Sequence, residues 1–168
     1  GFQHQGPAAV RYPRGTGTGV AIDPALNTLP IGKAELRRRG HGLAILSFGA
    51  MLAPAAELAA ELDATLVNMR FVKPLDEGML VDLAKTHDAC VTMEDNAIAG
   101  GAGSGVAECL SAHGIGVPVL HLGLADAFLE HGSREQVLSM AGLDLPGMRR
   151  AILARFPACA PNATAQAR

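Results

Sequence analysis

The sequence predicts a three-layer α/β/α fold around an open, mainly parallel five-stranded sheet. Three observations lead there. Leu43 to Phe48, LAILSF, is an unbroken apolar run of strand length, the pattern of a strand covered on both faces. Met51, Ala55, Leu58 and Leu62 follow at i, i+4, i+7 and i+11, one stripe at the helical period. Strand-like and helical runs then keep alternating, the signature of parallel strands joined by crossover helices on both faces.

Each element has its own reason. Ala8 to Tyr12 suits a short strand stopped by Pro13, and Gly15 to Pro30, rich in Gly, Thr and Pro, suits a loop. Lys33 to Arg38 alternates, with Ala34 and Leu36 on one face and Lys33, Glu35 and Arg37 on the other. After LAILSF and its helix, Thr65 to Met69 is the next strand. Asp76 is placed to N-cap a helix to about Thr86, with Met79, Leu80 and Leu83 inward. Ala89 to Met93 is the fourth strand, Ser104 is placed to cap a helix to about His113, and Val117 to Leu122 is the fifth strand. Ser133 and Gln136 fit an S-x-x-Q capping box. A last helix starts near Asp144 and carries Met148, Ile152 and Phe156 on one face. The tail PACAPNATAQAR has two prolines and no apolar period, so disorder is expected there.

Composition bounds the function. A chain of 168 residues suits one domain. With 49% hydrophobic and 4% aromatic residues, its core is aliphatic and closely packed. A net charge of -2 gives no electrostatic case for nucleic acid or a membrane surface. No apolar run approaches the roughly 20 residues that span a bilayer, and no stretch reads as a signal peptide. GFQHQGPAAV reads as mid-chain sequence, so a piece of a longer polypeptide is expected. Cys90, Cys109 and Cys159 lie far apart without a CxxC, which speaks against a disulfide framework and a zinc site and suits a reducing compartment.

Several motifs carry chemistry, each with more than one reading. GGAGSG, Gly100 to Gly105, follows a strand and opens a helix, where free N–H groups bind anions. It departs from the dinucleotide fingerprint, because Val106 stands where the last glycine belongs and the loop from Met93 is long. The other reading is that its glycines let backbone pack closely against the sheet or another subunit. MEDN, Met93 to Asn96, ends a strand at the edge where α/β folds bind ligands. Its two carboxylates suit a metal or acid–base work, and equally suit capping or pairing within the following loop. No two histidines have i, i+4 spacing, and no Cys or Asp stands where a triad would need it. His131 is a candidate to face a neighbouring subunit. In VRYPRG, Pro13 fixes the backbone between Arg11 and Arg14. A rigid turn presenting Arg14 suits a phosphate, since the guanidinium fork matches two oxygens. Two solvated charges on an edge strand are the alternative.

The segments VRYPRG, LPIGKAELRRRG, LAILSFGAMLAPA, LVNMRFVKPLDE, MEDNAIAGGAGSGV, PVLHLGLAD and EHGSREQVLSMAGLD, in that order, closely resemble the C-terminal part of the 1-deoxy-D-xylulose-5-phosphate synthase family. These are thiamine-diphosphate enzymes of the transketolase superfamily. The resemblance runs from about Gly6 to Phe156, and YPRG, RFVKPLDE and NAIAGGAGSGV together make it specific. It implies a transketolase C-terminal-like domain over 31–157, preceded by the end of a pyrimidine-binding domain and linker over 1–30 and followed by a disordered tail over 158–168. It implies a homodimeric parent enzyme in a bacterial cytoplasm or a plastid. That enzyme condenses pyruvate with glyceraldehyde 3-phosphate, releasing carbon dioxide, for isoprenoid, thiamine and pyridoxal synthesis. It further implies that Arg14 contacts the phosphate of glyceraldehyde 3-phosphate, while Arg11 is structural. Thiamine diphosphate and Mg2+ belong to the full-length enzyme. The family's catalytic glutamate, metal ligands and active-site histidines lie upstream of Gly1, so no catalytic, cofactor or metal residue is expected in this chain, and by itself it is expected to be inactive. The competing expectations are a non-catalytic dimerisation scaffold, or the same domain of a transketolase or a 2-oxo acid dehydrogenase beta subunit.

Overall fold

A computed structural model of the chain describes residues 1–10, 19 and 21–160. The strands are β1 Glu35–Arg38, β2 Leu43–Ser47, β3 Thr65–Asn68, β4 Ala89–Ala97 and β5 Val119–Leu124. The helices are α1 Leu52–Glu61, α2 Glu77–Thr86, α3 Ala102–Ala112, α4 Arg134–Met140 and α5 Leu145–Arg155. Short 3-10 turns, Gly49–Met51 and Pro157–Cys159, precede α1 and follow α5. The strands form one sheet in the order β1-β3-β2-β4-β5. β2 lies at its centre with every residue buried, which is why LAILS carries no polar alternation before Ser47. All pairings are parallel except β1 with β3. An antiparallel edge strand on a parallel sheet is common, and the charged side chains of β1 suit an edge.

Alternate residues of β2 feed opposite layers. Leu43 and Ile45 meet the α1 stripe of Met51, Ala55, Leu58 and Leu62, joined by Met148, Ile152 and Phe156 from α5 and the residue after it. Ala44 and Leu46 meet Leu80 and Leu83 of α2 and Val106 and Leu110 of α3. Each fully buried Leu or Met here contributes about 1.5–3 kcal/mol relative to exposure. The predicted three-layer architecture is therefore present, with the two helical stripes facing inward as their spacing requires. Caps close the helices where polar residues stand ready. Asp76 accepts from the Met79 N–H at 3.3 Å, Asp144 accepts from the Gly147 N–H at 2.9 Å, and Ser133 and Gln136 complete a capping box.

Some expected boundaries move. Ser104 is not the cap of its helix: α3 begins two residues earlier, after Gly101, and the Ser104 hydroxyl donates to the Ile98 carbonyl. β4 continues past Met93 to Ala97, so the loop into α3 is short. Ala8, Ala9 and Val10 are irregular and exposed rather than extended in a strand; Arg11 and Tyr12 lie outside the described residues. Cys159, in the closing 3-10 turn, packs against the core, while 161–168 lie outside the described residues. Among the described residues, no helix is long and apolar enough to cross a membrane.

Chain direction sets where a site can form. The connection from β2 runs through α1 on one face to β3, and that from β4 runs through α3 on the other face to β5. β2 and β4 are neighbours, so the strand order reverses between them. Open α/β sheets bind ligands at the carboxyl ends of the strands at such a reversal.

Candidate functional site

Two motifs converge at this reversal. Glu94, one residue past Met93 on β4, is only 4% exposed. Its carboxylate accepts from the Ala102 N–H at 2.8 Å and the Gly103 N–H at 2.9 Å. These are donors that the first turn of α3 leaves without a helical partner. An anion does sit at this helix start, and it is the chain's own. MEDN and GGAGSG are therefore one structural unit rather than two sites, and the capping reading of the acidic pair is the one the fold adopts. A register shift between β4 and β5 lies between Met93 and Ala97; such irregularities re-aim side chains.

The glycines explain themselves in the same place. A Cβ on Gly101 would run into the Ala97 carbonyl oxygen and the Glu94 carboxylate. One on Gly103 would stand 2.5 Å from His121 Nδ1 and 2.7 Å from Thr92 Oγ1. Close approach to the sheet, not a phosphate, requires these glycines. Thr92 and His121 are themselves paired across β4 and β5 at 2.8 Å. Asp95, the second acid, turns outward and accepts from Arg134 at 2.9 Å, tying β4 to the start of α4. A groove of about 1000 Å³ opens at the opposite edge of the sheet, beside Gly42, Asp88 and Ala89 at the strand beginnings and Phe156 and Cys159. That is the edge where this fold class does not place its ligands.

The other candidates are scattered. Asp76 is buried and bonded three ways, to the Ala34 N–H at 3.0 Å, the Met79 N–H, and the Lys33 ammonium at 3.6 Å. Burial pushes its carboxyl up, but the two backbone N–H donors and Lys33 outweigh burial and hold it below the usual carboxylate value. His41 pairs with Asp63 at 3.0 Å, and His87 reaches Thr65 Oγ1 at 2.8 Å. His131 is exposed. Arg14 and Arg11 lie outside the described residues. Cys90 is buried in the core, where burial pushes its thiol up to about 11.

One cluster escaped the sequence reading. Cys109 on α3 and His113, the residue that closes that helix, stand four apart, with Glu77 of α2 beside them. Its signal in the sequence is a cysteine and a histidine at i, i+4, whereas no two histidines have that spacing.

Comparison with known proteins agrees with the architecture. Residues 32–148 match the family model described as the transketolase C-terminal domain. A 1-deoxy-D-xylulose-5-phosphate synthase of Thioalkalivibrio sulfidiphilus is 64% identical over 157 residues, covering 93% of this chain and 24% of that protein. The protein of the same name from Xanthomonas euvesicatoria pv. vesicatoria is 60% identical, covering 94% of this chain and 25% of its own length. That of Nitrosococcus oceani is 60% identical over 148 residues, covering 88% and 23%. A solved structure titled "Split gene transketolase, inactive beta4 tetramer" superposes with a TM-score of 0.71 at 31% identity, covering 79% of this chain and 45% of that one. The chain thus spans about a quarter of the length of the curated relatives it matches.

Proposed function

The chain belongs to the transketolase C-terminal domain family, and from that premise we propose that it serves as the C-terminal domain of a 1-deoxy-D-xylulose-5-phosphate synthase. The observation that carries this is the 64% identity to a protein of that name across 93% of the chain. The lower identity of 31% to the split-gene transketolase supports the synthase over a transketolase proper. The whole enzyme would be a thiamine-diphosphate- and Mg2+-dependent transferase. It would join pyruvate to glyceraldehyde 3-phosphate with loss of carbon dioxide, feeding isoprenoid, thiamine and pyridoxal synthesis. It would act as a homodimer in the bacterial cytoplasm.

The described residues do not fit the cofactor. The glycine-rich helix start that would take its diphosphate is filled by Glu94, and Asp95 is engaged by Arg134. No step of the reaction is assigned to them. Their part is to form a rigid domain whose ligand-bearing edge is closed by its own carboxylate. Other parts of the longer enzyme would hold the cofactor and supply the catalytic glutamate and histidines.

Arg14 is this chain's contribution to substrate binding. The planar guanidinium fork of an arginine matches the oxygens of the acceptor's phosphate. In the full-length enzyme, Arg14→Ala is expected to raise KM for glyceraldehyde 3-phosphate and lower kcat/KM. The loss is about 2–4 kcal/mol, roughly 30- to 1000-fold, as for a charged hydrogen-bonded contact. Steady-state kinetics with the acceptor varied at saturating pyruvate would read it, and unchanged acceptor kinetics would refute the role.

A further inference from the structure

We propose that Glu77, Cys109 and His113 form a three-ligand site for a divalent cation of the zinc type, with its fourth position open to solvent. One donor atom from each residue lies within 4.8 Å of the other two. His113, the C-cap of α3, stands one turn beyond Cys109, and Glu77 is the first residue of α2, which packs in the same layer. None of the three belongs to the Glu94 cradle, and the site does not depend on the synthase function.

The histidine is already oriented for the task. His113 Nδ1 lies 2.9 Å from the Cys109 carbonyl oxygen, which only accepts, so Nδ1 carries the proton. The lone pair is then on Nε2. Metal-bound histidines make this kind of bond from their other nitrogen, and it fixes both ring orientation and tautomer. Nε2 lies 4.0 Å from Glu77 Oε2. That is too long for a hydrogen bond, and it is near the roughly 3.3 Å between nitrogen and oxygen ligands across a tetrahedral zinc. Cys109 Sγ lies 3.8 Å from Nδ1, the nitrogen that the carbonyl holds, so the sulfur's place in the site rests on the 4.8 Å proximity of the three donor atoms.

The surroundings complete the case. Cys109 is buried at the helix interface and so presents a fixed sulfur, while Glu77 and His113 are 63% and 42% exposed and leave an entry path. Rotation of the exposed Glu77 side chain would close the remaining gap. One thiolate, one imidazole and one carboxylate select zinc or cobalt over magnesium and calcium, which take oxygen shells. Binding displaces the thiol proton to solvent and leaves three ligands of net charge matched to a divalent ion.

The test is titration of the chain, stripped with a chelator and kept reduced, with Co2+ and then Zn2+. The expected result is one equivalent of Co2+ with a thiolate-to-cobalt charge-transfer band and the d–d intensity of a tetrahedral site, displaced by Zn2+. Cys109→Ser should abolish the charge-transfer band. His113→Gln and Glu77→Gln should each weaken binding at least about tenfold, since even outer partners of metal ligands are worth 10–100-fold. Cys159→Ser should leave the titration unchanged. His113 is at the surface, so its variant keeps the test valid if Cys109→Ser does not fold. Absence of stoichiometric binding would overturn the proposal. So would a band that survives Cys109→Ser or disappears in Cys159→Ser, or affinity untouched by His113→Gln.

Discussion

Asp76 ties two parts of the chain together through one carboxylate, which meets the Ala34 N–H and the Lys33 ammonium just before β1 and the Met79 N–H in the first turn of α2. Its folded pKa is held below the ordinary value of 3.8, because the N–H donors and Lys33 outweigh burial. The sign follows directly. A depressed folded pKa gives stability that is fully present above the unfolded value and is lost as pH falls through the folded one. Asp76→Asn keeps a capping oxygen and removes the charge. It is expected to lower stability by about 1–2 kcal/mol at neutral pH, as for a hydrogen bond to a charged group, with the gap narrowing below about pH 4. Urea denaturation of both proteins across that range measures it; a gap independent of pH would exclude the charge as the cause. This cap was legible because an N-cap lies next to its helix in sequence. Glu94 was not, since its two donors come eight and nine residues later. Ser104 looked like the cap for the same local reason, but a charged carboxylate satisfies two orphan N–H groups where a hydroxyl satisfies one.

At the level of the element, α3 separates glycines that the fold needs from one it only tolerates. Gly101 and Gly103 face the Glu94 carboxylate and the Thr92–His121 pair, whereas a Cβ on Gly105 meets nothing within 4 Å. Gly101→Ala is expected to destabilise by about 2 kcal/mol or more, because the obstacle includes a backbone carbonyl that cannot rotate away. Gly105→Ala is expected to stabilise by up to about 1 kcal/mol, the helix-interior preference for alanine. Denaturant midpoints of the two variants should move in opposite directions. Equal shifts would mean that the loop relaxes around the added methyl. The run GGAGSG shows why sequence alone could not make this division. Four glycines within six residues give no sign of which one faces the sheet until β4 is known to reach Ala97. Strand β2 and the stripes of α1 and α5 were readable, because unbroken or periodic apolar patterns report burial directly. The polar end of β4 was not, because Glu94 is buried by its bonds and not by its hydropathy.

The molecule as a whole has an uneven distribution of apolar surface. Residues from Ala34 to Cys159 build both core layers. Phe2, Val10, Ile22, Leu26, Leu29 and Ile31 are large, apolar and exposed, and none joins either layer. Among the described residues before Ile31, none lies in a helix or strand. Side chains of this kind suit contact with other parts of a longer enzyme rather than with water, which supports the proposed division between 1–30 and a domain of 31–157. The division has a thermodynamic consequence. The slope of stability against denaturant scales with the surface that unfolding exposes, and side chains that are already exposed, as those of the described residues before Ile31 are, add nothing to it. Removing residues 1–30 is therefore expected to leave the unfolding free energy within about 1 kcal/mol and the slope unchanged, the ordinary outcome where no core contact is lost. Urea unfolding of the full chain and the shortened one makes the comparison. A larger loss, or a smaller slope, would show that the arm packs on the body and that the boundary lies elsewhere. Equality would mean that the arm, with Arg14 in it, is energetically separate from the domain that carries it, so kinetic effects of Arg14→Ala in the whole enzyme could be read without a correction for domain stability.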